Sequence, residues 1–188
     1  LISSERDYEL IKQSGYSLQP KEHLGSVHGE ADGSITAWRD PFIFGVDGKT
    51  LICFAAKSAD GKPAMGLLAL AGDRYDDVCL MSPVTLPDTS DFTQLEVPKI
   101  VYVDQLSCFL LLCSTTNRQS EAQPPNEVDT LLRLYMSSDI QGPWRSAGTS
   151  SSIIGGVDML FGAAIMGIDD REGRLICVAP YTSEAGND

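Results

Sequence analysis

The sequence predicts an all-β chain assembled from propeller blades, and three observations carry that expectation: a recurring strand–turn–strand plan, turn residues at every junction, and almost no helical periodicity. The plan reads WRDPFIFGVDGKTLICFAA at 38–56, LEVPKIVYVDQLSCFLLLCS at 95–114 and LFGAAIMGIDDREGRLICVAP at 160–180. Aligned on Asp47, Asp104 and Asp169, the repeats are 57 and 65 residues apart. A period of about 40 to 65 residues with strand–turn–strand content points to propeller blades rather than to a solenoid.

Each unit continues with a further apolar run, GLLALAGD at 66–73 and TLLRLYMSSD at 130–139, whose alternation and branched or aromatic residues suit a sheet. Punctuation at DGK, DGKP, SPVTLPD, QPPNE and QGPW separates the runs. The best helical candidate is 5–13, which is too short to be assigned by pattern alone. One partial propeller domain is therefore expected over 1–188, with blades at 38–94 and 95–159, the start of another at 160–188, and the outer strands and loop of a preceding blade at 1–37. A propeller closes with at least four blades, so the chain supplies about half to two-thirds of a ring. Its open edge is expected to be covered by another chain or by self-association.

Composition narrows the function classes. With 188 residues and 43% hydrophobic content, the chain can bury a core. A formal charge of −12 opposes phosphate backbones and anionic lipid, so neither nucleic acid nor membrane is an expected partner. No run approaches the roughly 20 apolar residues of a membrane helix, and the first residues, LISSERDYEL, do not read as a signal peptide. Cys53, Cys79, Cys108, Cys113 and Cys177 lack paired metal-ligand spacing and mostly lie in apolar runs, as buried free thiols do. The two histidines, His23 and His28, are too few for a metal centre. No cofactor and no metal is expected.

Chemistry concentrates where the first strand of a repeat begins, because in a propeller those strands line the central funnel. The first opens with Arg39 and Asp40 before Pro41, the second with Glu96 before Pro98. Charges placed directly ahead of FIF and KIV cost burial energy unless they meet solvent or a partner. Either they form a site, or Arg39 and Asp40 are a local ion pair and Glu96 an exposed strand end. Trp38 and Trp144 either stack on a ligand ring or pack between blades. Gly155-Gly156 lacks the Lys-Ser/Thr of a phosphate loop, and no Gly-x-Ser-x-Gly elbow is present.

The segment Trp38-Arg39-Asp40-Pro41-Phe42 resembles the Arg-Asp-Pro motif of the β-fructofuranosidase and levansucrase group of glycoside hydrolases, which are five-bladed β-propellers. Gln94-Leu95-Glu96-Val97-Pro98 is similar to that group's acid/base motif, and Tyr135 to Asp139 with Gly142-Pro143-Trp144 resembles its blade-closing strand and turn. The resemblance implies retaining hydrolysis or transfer on a fructofuranosyl unit of a carbohydrate substrate of the sucrose or fructan type. Two carboxyl groups divide such work. Glu96 would be the general acid and then the base, Asp40 the transition-state stabiliser, and Arg39 and Trp38 substrate-binding residues.

One part of that pattern is missing. The group carries its nucleophilic Asp well upstream of Arg-Asp-Pro, yet Asp7 lies in SERDYEL and Asp32 in GEADGS, both surface-like contexts. The third repeat, opening with Phe161-Gly162-Ala163-Ala164, offers no replacement. The nucleophile-bearing blade is expected to lie outside this chain. Two rival readings stay open: a related five-bladed glycosidase or phosphorylase acting on another sugar, and a propeller that binds carbohydrate or protein without catalysis.

Overall fold

The computed structural model describes residues 2–24, 34–71, 77–149, 151–154, 160–169 and 171–180, and the chain is all-β. In the first sheet β1 (Arg39–Val46), β2 (Lys49–Lys57), β3 (Pro63–Leu70) and β4 (Val78–Leu80) follow in chain order, with the short β5 (Val84–Thr85) also on β3. The second repeats this meander with β6 (Gln94–Val103), β7 (Cys108–Thr116), β8 (Thr130–Ser137) and β9 (Arg145–Ser146). A hairpin, β10 (Ala164–Asp169) and β11 (Arg174–Val178), follows. Each of the three repeated segments is thus an antiparallel pair. The β1–β2 turn uses Asp47-Gly48 with φ of 50° and 70°, the left-handed pair that a two-residue hairpin requires.

The apolar runs are continuous because both faces of the second strands are buried, from Leu51 to Lys57 in β2 and throughout β7. Alternation still sorts their side chains. Cys53 and Ala55 of β2 meet Phe109, Leu111 and Cys113 of β7 in one core between the first two sheets. On the opposite face of β7, Cys108, Leu110 and Leu112 pack toward the hairpin, against Ile165, Ile168 and Leu175. The sheets therefore stack face to face, with β1 beside β6 and β6 beside β10 at one edge of the stack.

Residues 1–37, expected to hold outer strands of a preceding blade, form no named strand among those described. A six-residue helix, α1 (Tyr8–Gln13), lies there instead, and Tyr8, Ile11 and Tyr16 cover Ile52, Phe54 and Leu68 on the outer face of the first sheet. Tyr16 pins this segment: its hydroxyl donates to the Met81 carbonyl at 2.7 Å and accepts the Leu67 amide at 3.3 Å. Gly66, directly opposite Phe54 on β3, leaves room for the Phe54 ring, which any Cβ there would strike.

At the other end of the stack, two apolar residues of the hairpin are exposed. Counting from the hairpin turn, Ile176 and Val178 of β11 occupy the positions of Leu110 and Leu112 in β7. Leu110 and Leu112 are 2% and 1% exposed, whereas Ile176 and Val178 are 52% and 56% exposed. Three cysteines, Cys53, Cys108 and Cys113, are buried free thiols, while Cys79 and Cys177 are exposed ones. Burial pushes the Cys53 thiol up to about 12, and its S–H faces the Pro98 carbonyl at 3.4 Å across the sheet interface. No helix among the described residues is long and apolar enough to cross a membrane.

Candidate active site

The site residues sit on matching irregularities of two neighbouring strands. Pairing of β1 with β2 slips between Arg39 and Phe42, and pairing of β6 with β7 slips between Glu96 and Lys99. Each slip holds a proline preceded by a left-handed residue: Asp40 at φ 59° before Pro41, and Val97 at φ 48° before Pro98. A bulge tolerates proline because the ladder is already interrupted, and proline in turn keeps its predecessor out of the right-handed helical region. Asp accepts the left-handed alternative readily; for the β-branched Val97 it is strained, and such strain persists where the surroundings impose it. The third repeat places Gly162 at φ 63° in the same position. Asp40, Val97 and Gly162 are therefore equivalent, and Glu96 matches Arg39 rather than Asp40.

One guanidinium joins the two carboxylates. Arg39 Nη2 donates to Glu96 Oε1 at 2.9 Å, and Arg39 Nε lies 3.9 Å from Asp40 Oδ2. The same Oδ2 accepts the Val97 backbone N–H at 3.1 Å, so Asp40 on the first sheet supports the strained backbone beside Glu96 on the second. All three side chains are partly buried. Two anions around one cation leave a net negative site with charge-assisted hydrogen bonds and access to solvent. The near neighbour of Glu96 is thus a guanidinium, held across the sheet interface.

Trp38 stands elsewhere. Its ring meets Phe54 at 4.6 Å and Tyr16 at 5.3 Å between centroids, in the cluster that covers the outer face of the first sheet, and it lines an apolar hollow there with Arg39, Pro41 and Ile52. Trp144 is buried between the first two sheets, with its indole N–H donating to the Ile140 carbonyl at 3.2 Å. The third repeat contributes backbone: the Gly162 amide donates to Ser114 Oγ at 3.0 Å, and Lys99 Nζ donates to the Gly162 carbonyl. Beside Glu96, a cavity of about 390 Å³ runs between the second sheet and Phe161, lined also by Thr116, Arg118 and Thr130. His23 is exposed on a 3-10 turn, and among the described residues no three His, Cys, Asp or Glu groups converge as metal ligands. His28, Asp32, Gly155 and Gly156 lie outside the described residues, as do positions 72 and 73 of the run at 66–73.

Sequence reasoning missed a second polar centre. Asp88, on the connection into β6, accepts Tyr135 Oη at 2.6 Å on Oδ1, and its Oδ2 takes both Arg133 Nη1 and Ser152 Oγ. Arg133 is 3% exposed, also donates to Thr115 Oγ1 at 3.1 Å, and lies over the Phe92 ring. The only signal in the sequence is an arginine amid the apolar alternation of TLLRLYMSSD. Burial pushes Asp88 up, but hydrogen bonds from Ser152 and Tyr135 and the Arg133 charge outweigh it and hold the carboxyl below its usual value. Burial raises the Tyr135 phenol, and the neighbouring Cys113 and Asp88 raise it further. Comparison of the chain with protein-family models and with curated proteins gives no significant match.

Proposed function

We propose that the chain is part of a five-bladed β-propeller glycosidase that acts on fructofuranosyl substrates with retention, through hydrolysis or fructosyl transfer. The observation that carries this reading is the Arg39 guanidinium spanning Asp40 and Glu96 at the starts of two adjacent first strands, each on a bulge with left-handed backbone. The succession of β1, β6 and β10 along one edge supports an axis there, and the exposed apolar residues Ile176 and Val178 of the β10–β11 hairpin support a following sheet. In this reading Glu96 protonates the leaving oxygen and then activates the incoming hydroxyl, Asp40 stabilises the oxocarbenium-like transition state, and Arg39 orients both. The nucleophile comes from a preceding blade that this chain does not supply. Trp38 backs Arg39 from the aromatic cluster.

The test is Glu96→Gln in protein carrying the whole propeller, with a natural fructoside and one bearing an activated leaving group. Turnover of the natural substrate falls by roughly 10²- to 10⁴-fold, as loss of a general acid does, while the activated substrate is largely spared. Equal loss on both substrates removes Glu96 as the acid.

A second reading is favoured by one contact. Because Arg39 pairs with Glu96 and Asp40 holds the Val97 amide, the three residues also serve as a tie between sheets, as they would in a propeller that binds without catalysis. No turnover of either fructoside by the unsubstituted whole propeller, together with reduced stability of Glu96→Gln, selects that reading.

A further inference from the structure

The repeats stack in one register, and that register says what belongs on the outer face of the first sheet. With Arg39 matched to Glu96, strand pairing matches Ile52 to Leu111, Phe54 to Cys113 and Leu68 to Tyr135. The 57-residue offset matches Trp38 to Leu95 and Pro41 to Pro98. In the second sheet all five positions are buried, and Leu95, Leu111, Cys113 and Tyr135 share one core with Cys53, Ala55 and Leu67 of the sheet before it. In the first sheet the same five positions, Trp38, Pro41, Ile52, Phe54 and Leu68, line a hollow of about 250 Å³. That face is the seat of a preceding sheet.

The N-terminal segment occupies the seat. Tyr8, Ile11, Tyr16 and Leu18 are buried with Ile52, Phe54 and Leu68, and the Tyr16 ring lies 5.3 Å from Trp38 and 6.0 Å from Phe54 between centroids. The cover is incomplete, since the hollow remains, and it is lightly tied. Among the described residues α1 makes no hydrogen bond to the sheet, and the Tyr8 hydroxyl donates within the segment, to the Gln19 carbonyl. The bonds that do reach the sheet come from residues 16 and 17: the two of the Tyr16 hydroxyl, and the Ser17 amide donating to the Lys57 carbonyl at 2.9 Å. A segment held by so few bonds opens at lower free energy than a core strand.

We propose that residues 2–18 are a displaceable cap that keeps a second copy of this chain from stacking on the first sheet. The hairpin identifies the partner. Its exposed Ile176 and Val178 hold the positions from which Leu110 and Leu112 pack toward the following repeat, and Leu112 in turn matches Cys53, which packs toward the second sheet. The hairpin face therefore continues the contact that the chain already makes at both of its sheet interfaces, and it is the surface that the seat receives. Stacking a hairpin on a seat is head to tail, so it leaves a free hairpin at the far end and repeats unless a ring closes. Covering one of the two complementary surfaces stops that growth. The inference needs only the repeat of the sheets and goes beyond the fructoside reading; in a whole propeller the same displacement admits the preceding blade.

Ile11→Ser combined with Tyr16→Phe removes the most buried side chain of α1 and both hydroxyl bonds, and sedimentation follows the mass. Where the unsubstituted chain is monomeric, the weight-average mass of this variant is expected to rise at least about twofold. Adding Ile176→Asp and Val178→Asp, both at exposed positions, should return it to the monomer. A folded, monomeric variant overturns the cap, and association that survives the two aspartates overturns the assigned partner. Association of the unsubstituted chain that the same aspartates abolish also overturns the cap. Hydrogen exchange on the unsubstituted chain decides if the variant does not fold. The Ser17 amide should exchange at least about 100-fold faster than the amides of β7. Equal rates mean that the segment leaves only on global unfolding, which overturns the displacement. None of these outcomes involves turnover of a fructoside, so failure of the cap and failure of the glycosidase reading are read separately.

Discussion

Replacing Asp88 by Ala tests whether the second polar centre holds the connection into β6. Arg133 is 3% exposed, while the Asp88 side chain is 20% exposed. Losing the carboxylate therefore strands a buried guanidinium, together with the Tyr135 and Ser152 hydroxyls that donate to it. Removing one partner of a buried pair costs about 3–5 kcal/mol. Asp91, 3.9 Å from the same Arg133 nitrogen, offers a partial substitute, which puts the expected loss at about 3 kcal/mol, toward the lower end of that range. Arg133→Met is expected to cost less, about 1–2 kcal/mol, because water can reach the carboxylate left behind. The double variant should fall below the sum of the two single losses, since no charge is then stranded. Urea unfolding at constant slope gives all three values. A loss below about 1 kcal/mol for Asp88→Ala, or equal losses for the two single variants, refutes the burial argument.

Acid should act through the same group. Asp88 is held below its usual value when folded, so its contribution to stability is present above the unfolded value of about 3.9 and is lost as pH falls through the lower folded value; Asp88→Asn should flatten that limb of a stability-against-pH curve, and an unchanged limb counts against the network. Gly66→Ala should destabilise by about 2–4 kcal/mol because its Cβ strikes the Phe54 ring in a packed layer, read as a fall in thermal midpoint; a neutral effect means that the ring moves freely. Asp40→Ala should cost about 2 kcal/mol, from a left-handed backbone without an Asx side chain and an orphaned Val97 amide, whereas Asp40→Asn, which keeps an acceptor, should be nearly neutral in the same urea assay. Equal losses in the two Asp40 variants would contradict that account.

The strands were legible because local chemistry imposes them. Alternating and continuous apolar runs, an Asp-Gly turn and a repeat of 57 and 65 residues are properties of neighbouring residues, and they mark the paired segments that β1–β2, β6–β7 and β10–β11 form. Burial on both faces of β2 and β7 was implied by the length of their apolar runs. The first 37 residues carry no such signal: six helical residues are too few for a periodic pattern, and what holds α1 is Tyr16 reaching β3 and Met81, a contact between residues far apart in the chain.

For the site, sequence by itself determined that charge stands at the starts of two strands, at Arg39, Asp40 and Glu96, close to the prolines Pro41 and Pro98. Only the tertiary structure decided how those charges are used. Both strands carry the same one-residue bulge, and the stacking of the two sheets lets the guanidinium of Arg39 reach the carboxylate of Glu96, its counterpart at the 57-residue offset. Packing also turned Trp38 into the aromatic cluster and joined Asp88 to Arg133 and Tyr135 across 45 residues or more of chain. The physical reason is range: turn and strand preferences arise within a few residues, whereas partnership between charges and hydroxyls depends on which sheet faces which, and that is set by packing the whole stack.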